Sequence, residues 1–334
     1  MHRFVRIILA AAMLPAICSA ARADPAPGQY FASRVVEFSP GAGYEFYPDS
    51  DLSLGGPRGG GALVGSMDVV SLGVQGVLVL GFAPSRAVTD GAGADLIVFE
   101  NAFDVGQWRF AELVRVGVST DGLNYAYFPT WCGLTSAVLP YQPIDPTQVS
   151  GFAGVGPVLA NVDSNGIDPF DPATAGGDAF DLAALASDPL VLGGQVDLGR
   201  IYYVKLVDVL GDGLAELDSY DNPIYDPTGD MTEPPYVATS ADIDAVSVVH
   251  GLLPAVAGDV TRNGVVNITD LGALAANWQK SPGATWEDGD FTGDGTVNIT
   301  DLGALASNWN LNAAQTVPEP ASLAIWLAGS AAVI

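Results

Sequence analysis

Near its end the chain places oxygen-bearing side chains at fixed intervals, and it does so twice. "GDVTRNGVVNITDLGALAANW" runs from Gly258 to Trp278 and "GDFTGDGTVNITDLGALASNW" from Gly289 to Trp309, 31 residues on, with 16 of 21 positions identical. A twelve-residue calcium loop needs oxygen at positions 1, 3, 5, 7 (a backbone carbonyl), 9 and 12, and glycine at position 6 for the sharp turn. The first copy supplies Asp259, Thr261, Asn263, the Val265 carbonyl, Asn267 and Asp270, with Gly264 at the turn. The second supplies Asp290, Thr292, Asp294, the Thr296 carbonyl, Asn298 and Asp301, with Gly295. Hard oxygen donors in this order bind a hard divalent cation, so two calcium sites are expected. The bland alternative is an Asx-rich turn that holds no metal. Loop one carries two carboxylates, Asp259 and Asp270, and loop two carries Asp290, Asp294 and Asp301. The second site is therefore expected to bind more tightly.

Each loop opens a helical pattern. Leu271, Leu274, Ala275 and Trp278 fall at i, i+3, i+4 and i+7, and Leu302, Leu305, Ala306 and Trp309 repeat them. These stripes read as core, both tryptophans included. Gly272 and Gly303 weaken the helices by roughly 1 kcal/mol each relative to alanine, so both should depend on calcium and on packing against each other. Val266 and Val297, at position 8, suit a short β contact between the paired loops.

A duplicated calcium loop followed by a helix, with no helix ahead of the loop and D-x-x-x-[ND]-G-x-V-N-x-x-D-L in each copy, resembles a type I dockerin. The resemblance implies a module of residues 253–312 that calcium folds and that docks onto a cohesin-type scaffold protein, often in polysaccharide degradation. It places partner contacts near Ile268, Thr269, Ile299 and Thr300. Threonine at position 3 departs from the usual Asn or Asp, and a neutral hydroxyl there weakens binding or leaves a water to complete the shell.

The rest of the chain has to present this module outside the cell. "MHRFVRIILAAAMLPAICSAARA" has a basic start, an apolar stretch and Ala21-Arg22-Ala23 as a cleavage site, so residues 1–23 read as a signal peptide. Removal of the leader leaves one cysteine, Cys132, and no intrachain disulfide, so calcium is the expected staple. Residues 313–334 carry Val317-Pro318-Glu319-Pro320 and then an apolar run too short to cross a bilayer comfortably. This tail resembles a PEP-CTERM sorting signal, which implies a fate at the cell envelope. No basic cluster closes it here, so the signal is expected to be incomplete. A formal charge of −26 repels phosphate backbones, arguing against nucleic-acid partners and for bound cations.

Residues 24–252 read as mainly β. Glycine (40) and proline (23) are abundant, and charged residues make up only 15%. "ASRVVEFS", "GALVGSMDVVSLGVQGVLVLGF", "ADLIVFEN", "ELVRVGVST", "LNYAYFP", "IYYVKLVDVL" and "IDAVSVVH" are strand-like, and Asp121-Gly122 turns a hairpin between Val114–Val118 and Tyr125–Tyr127. "DAFDLAALA" admits a short helix. The pattern predicts an antiparallel β-sandwich, and it modestly resembles discoidin-like, jelly-roll domains of cell-surface proteins.

Three patches of this body are candidates for more than packing. Asp163, Asn165 and Asp168 around Gly166 form a possible further calcium turn, with a flexible Asx-rich loop as the alternative. Glu100-Asn101 closes a buried-looking strand, where the side chains cap loose backbone groups or hold a metal. Trp108 and Trp131, in loop-like sequence, are the first candidates for stacking on a glycan. No catalytic residue is assigned. His250 is the one histidine after the leader, so His-dependent triads and zinc hydrolases lack companions. The expectation is a secreted or cell-surface, calcium-binding, docking protein whose sandwich binds polysaccharide or matrix. Two alternatives stay open: a glycoside hydrolase or lyase with paired carboxylates, and a structural matrix or adhesion protein with no glycan ligand.

Overall fold

A computed structural model describes residues 25–310 apart from 27, 84–85, 228–239 and 254. The leader and the sorting-like tail lie outside the described residues. No helix among them is long and apolar enough to cross a membrane.

The strand-like segments build two antiparallel sheets. In the first, the order is Tyr30–Phe31, Asp242–Val248, Leu96–Glu100, Asp178–Phe180, and Val70–Ser71 also pairs with the Asp242 end. In the second it is Ala126–Tyr127, Val114–Ser119, Tyr203–Asp208, Val77–Gly81, Arg34–Ser39. The inner faces meet in one core. Val204 and Leu206 alternate inward along their strand, Val114, Val116 and Val118 do the same beside them, and Leu96, Val98, Val246 and Val248 face them from the other sheet. This is the expected sandwich.

The first sheet is buried on its other face as well. Ile97, Phe99 and Ala245 pack under Val158, Ala160 and Ala175 of a long loop, which explains why Leu96–Glu100 reads as a continuous apolar run rather than an alternating one. The expected hairpin is present: Ala126 pairs with Val118, and the Asp121 carboxylate accepts the Leu123 and Asn124 N–H groups. Two expectations are corrected. "DAFDLAALA" begins as a strand, Asp178–Phe180, because it completes the edge of the first sheet, and only Leu182–Leu185 then turns as a 3-10 helix. Of "GALVGSMDVVSLGVQGVLVLGF", only Val70–Ser71 and Val77–Gly81 are strands, and Leu63 and Val64 are exposed in a loop. Tyr225 belongs to a peripheral ribbon in which Pro223–Tyr225 pairs with Asp212–Leu217.

Polar side chains pin loops to this frame. Both oxygens of the buried Asp244 accept the Arg58 N–H at 3.0 Å, and Arg58 pairs in turn with Asp68 and Asp163 at 2.7 Å each. Burial pushes the Asp244 carboxyl up to about 7, against the pull of the Arg58 N–H and the Ser66 hydroxyl. A carboxyl raised in the folded state is protonated there while already ionised in the unfolded chain. Its contribution to stability is thus complete below the unfolded value near 3.8 and is lost as pH rises toward 7. Denaturant titrations of the wild-type chain and Asp244→Asn between pH 4 and 7 should show the wild type losing stability relative to the variant as pH rises. A difference independent of pH would contradict the assignment.

Candidate metal centres

Both repeats fold as loops closed around buried carboxylates. In the first, Asp259 is fully buried; its Oδ2 accepts the Gly264 N–H at 2.8 Å and its Oδ1 the Asn263 N–H at 3.2 Å. Gly264 holds φ 83°, which glycine adopts without strain. Asp270 is also fully buried: its Oδ2 accepts the Asn267 N–H at 2.9 Å and its Oδ1 the Thr261 N–H at 3.2 Å. The second loop repeats the scheme. Asp290 accepts from Gly293 and Gly295, both at 2.7 Å, and Asp301 accepts from Phe291, Thr292 and Asn298.

Threonine at position 3 joins the two acids of each loop. The Thr261 hydroxyl lies 3.2 Å from Asp259 Oδ1 and 3.1 Å from Asp270 Oδ1; the Thr292 hydroxyl lies 3.3 Å from Asp290 Oδ1 and 3.0 Å from Asp301 Oδ1. One hydroxyl proton cannot serve two anionic oxygens. Each loop therefore buries two negative charges with a single proton to share, and the donor set is wholly hard oxygen. These residues fit a hard divalent cation such as calcium. Burial pushes Asp259 above the usual carboxylate range, and the Asp270 charge adds to this against the Gly264 and Asn263 N–H groups. Asp301 is held below that range: burial raises it, and the Asn298 and Thr292 donors outweigh the burial.

The remaining predicted ligands stand around these pairs. Asn263 and Asp294 turn their Oδ1 atoms to the N–H groups of Val265 and Thr296, both at 2.9 Å. Asp290, Asp294 and Asp301 do not all come within 4.8 Å of one another. Asn267 and Asn298 are the N-caps of helices Ile268–Ala276 and Ile299–Ser307, and Asp270 and Asp301 close their capping boxes. Loop and helix thus share their residues, so a cation that fixes the loop also fixes the first helical turn.

The two copies brace each other reciprocally. A Cβ on Gly258, at the start of loop one, would lie 2.7 Å from the Leu305 Cα, and one on Gly289 would lie 2.9 Å from the Leu274 Cα. Val266, Val297, Leu274 and Leu305 form the shared core. The expected β contact between the loops is absent. Val297 O instead accepts the Gln279 N–H at 2.9 Å, and Val266 O accepts the Asn310 N–H at 2.9 Å. Each loop is tied to the chain leaving the opposite helix. Trp278 and Trp309 are 42% and 41% exposed, not core, and Ala275 is exposed too. The short helices meet at Leu274 and Leu305, and most residues C-terminal to that contact, the tryptophans among them, stay exposed.

Beside the core stands a half-buried tryptophan, Trp286, which the repeat pattern does not contain. Its Nε1–H donates to the Asp259 carbonyl at 2.9 Å, its ring meets Phe291 edge-on at 5.1 Å, and the Arg262 guanidinium lies over it at 5.5 Å. Arg262 takes position 4 of loop one, at φ 53°, where loop two has Gly293. A fixed cation beside the loop with fewer acids reinforces the expected order of affinity.

The other candidates are scattered. Asp163 is engaged by Arg58; Asn165 Oδ1 accepts from Asn161 and Ile167, and Asp168 accepts the Phe170 N–H. Trp108 and Trp131 are 43% and 37% exposed on two peripheral ribbons, Phe103–Val105 with Trp108–Phe110 and Trp131–Cys132 with Val149–Ser150. Beside Trp108, Phe103, Phe110 and Tyr141 stack with centroids 5.1 and 6.4 Å apart. Ile268 and Ile299 are 69% and 68% exposed, and Thr269 and Thr300 stand exposed beside them. One grouping had no local signal in the sequence: Asp90, Asp95 and Asp181 converge within 4.8 Å, and His250 Nδ1 lies 2.9 Å from Asp95 Oδ1. Asp95 is already committed, since it accepts the Gly91 and Leu182 N–H groups at 2.7 Å each.

Calcium titration followed by Trp286 emission should report loop one directly, because the indole is hydrogen-bonded to the first residue of that loop. With Asp290→Ala in loop two, the Trp286 signal should persist. With Asp259→Ala it should vanish, and in the wild-type chain it should appear only at calcium concentrations above those that fill loop two. A Trp286 transition at the lower concentration would reverse the order.

Residues 257–310 match the family model of the dockerin type I domain. No curated protein and no solved structure matches the chain. Domains of the matched family bind calcium and dock onto cohesin-type partners, so the twin loops fit the family in sequence and in geometry alike.

Proposed function

We propose that this protein is exported by residues 1–23, docks through residues 253–312 onto a cohesin-type scaffold in a calcium-dependent manner, and carries residues 24–252 as a module for polysaccharide or matrix. Residues 313–334 attach or sort it at the cell envelope. The observation that carries the docking reading is the pairing of buried carboxylates, Asp259 with Asp270 and Asp290 with Asp301, directly beneath twin exposed Ile-Thr pairs. Calcium at positions 1 and 12 orders the first turn of each helix, and that turn presents Ile268-Thr269 or Ile299-Thr300. An exposed isoleucine beside a hydroxyl offers an apolar anchor with a polar rim, a combination suited to a protein interface.

Binding of the full chain to an array of cohesin modules should occur with calcium and disappear with chelator. Because the two copies present the same pair, Ile268→Asp or Ile299→Asp alone should leave binding within about tenfold, whereas the double variant should abolish it. Capture unaffected by chelator would refute the docking reading.

For the carried module, the exposed Trp108, beside stacked aromatic rings, and the exposed Trp131 are the surfaces that support glycan recognition. Co-sedimentation of the full chain with insoluble polysaccharides should retain it on one or a few of them, and Trp108→Ala with Trp131→Ala should reduce retention at least several-fold. Retention on none would leave the sandwich a spacer.

A further inference from the structure

A second set of buried acids lies inside the sandwich, away from the calcium loops. Glu100 ends the Leu96–Glu100 strand at 1% exposure, and the buried Glu112 lies close enough to feel its charge together with those of the buried Asp208 and Asp226. One Glu100 oxygen is used: Oε1 accepts the Asp242 N–H at 3.1 Å. Oε2 has no hydrogen-bond partner, and neither does Asn101 Oδ1 at the same strand end. Both are buried acceptors, so what is missing is a positive charge or a donor. Leaving such an atom bare costs about 1–3 kcal/mol, and more for a charged group. A narrow passage of backbone lies against this point. Gly154, at φ 86°, would put a Cβ 1.9 Å from the Glu112 carbonyl and 3.5 Å from Glu100 Oε2.

Burial pushes both glutamates well above the usual carboxylate range, and the Glu100 charge is the next largest influence on Glu112. A shared proton would relieve that pair, but it leaves two facts untouched. Asn101 Oδ1 would still lack a donor, and turning the amide round is no remedy because its NH2 already serves Asp242. Asp208 and Asp178 accept backbone N–H groups at both oxygens, Asp208 from Ala241 and Gln75 and Asp178 from Val155 and Gly156. Burial nonetheless pushes Asp208 well above the usual carboxylate range and Asp178 up to about 6, so acids are held here at a desolvation cost that a nearby cation would offset.

We propose that the sandwich holds its own hard divalent cation, of the calcium class, at the end of the Leu96–Glu100 strand. Glu100 Oε2 and the Glu112 carboxylate are its anionic ligands, and Asn101 Oδ1 and water supply neutral oxygens. The site stands apart from the calcium loops and does not depend on the docking function.

The test uses the full chain with both loops disabled by Asp259→Ala, Asp270→Ala, Asp290→Ala and Asp301→Ala. Equilibrium dialysis against radioactive calcium should find one ion per chain, and calcium should raise the melting temperature of the remaining β structure. Adding Glu100→Gln, which keeps the shape and removes the charge, should weaken that binding at least tenfold and cancel the calcium-induced shift. Glu112→Gln reads the same quantity should Glu100→Gln not fold. No calcium bound to the loop-disabled chain would overturn the proposal. So would binding that both glutamine variants leave unchanged, since the ion would then sit elsewhere.

Discussion

Two carboxylates buried side by side repel, and in a segment of this size nothing else is strong enough to hold them together. The four core residues Val266, Leu274, Val297 and Leu305 are supplemented only by half-buried neighbours such as Leu271 and Phe291. A core this small sits near the limit for independent folding. Asp259 and Asp270 must nonetheless approach one Thr261 hydroxyl, and Asp290 and Asp301 one Thr292 hydroxyl, for either loop to close. The repulsion is resolved when a cation enters, so binding energy and folding energy become the same quantity here. The glycines inside the helices fit that arrangement, because a helix capped through metal-loop residues can tolerate weak propensity.

The sandwich meets the same constraint with more resources. Its core spans both sheets and a covered outer face, so acids such as Asp95 and Asp244 can be buried singly, each satisfied by backbone N–H groups. Carboxylates here serve as loop fasteners. The exception lies where several acids converge at one end of the first sheet and acceptors are left bare. A large core can carry that cost without unfolding, so loss of a cation is expected to unfold the small module and only soften the sandwich.

How far the sequence revealed this follows from the range of the interactions. The paired loops were legible because every predicted ligand lies within twelve residues of the first, so spacing alone encodes geometry. Val114, Val116 and Val118 were legible because one face of a strand is read by alternation. Asp178–Phe180 was not, since a three-residue edge strand takes its identity from pairing with Leu96, Ile97 and Val98 across some eighty residues of chain. The contact of Trp286 with loop one, and the exposure of Trp278 and Trp309, were hidden for the same reason: a repeat pattern shows what the copies share, and Trp286 lies between them. The bare oxygens of Glu100 and Asn101 depend on Gly154 and Asp242, which no local pattern links to the strand.

The junction between the parts adds a last constraint. Leu253 is buried with the sandwich core, and its N–H donates to the Arg262 carbonyl inside loop one at 3.0 Å. Arg200 of the sandwich pairs with Glu287, next to the Trp286 that holds the Asp259 carbonyl. Loop one is therefore anchored on two sides by residues outside it, whereas among the described residues the hydrogen bonds of loop two stay within residues 253–312. An anchored loop has less conformational freedom to lose on binding, which partly offsets its smaller number of carboxylates. The difference between the two sites is then set by charge against preorganisation. Arg262, a cation at position 4 of the anchored loop, is expected to tip that balance toward loop two.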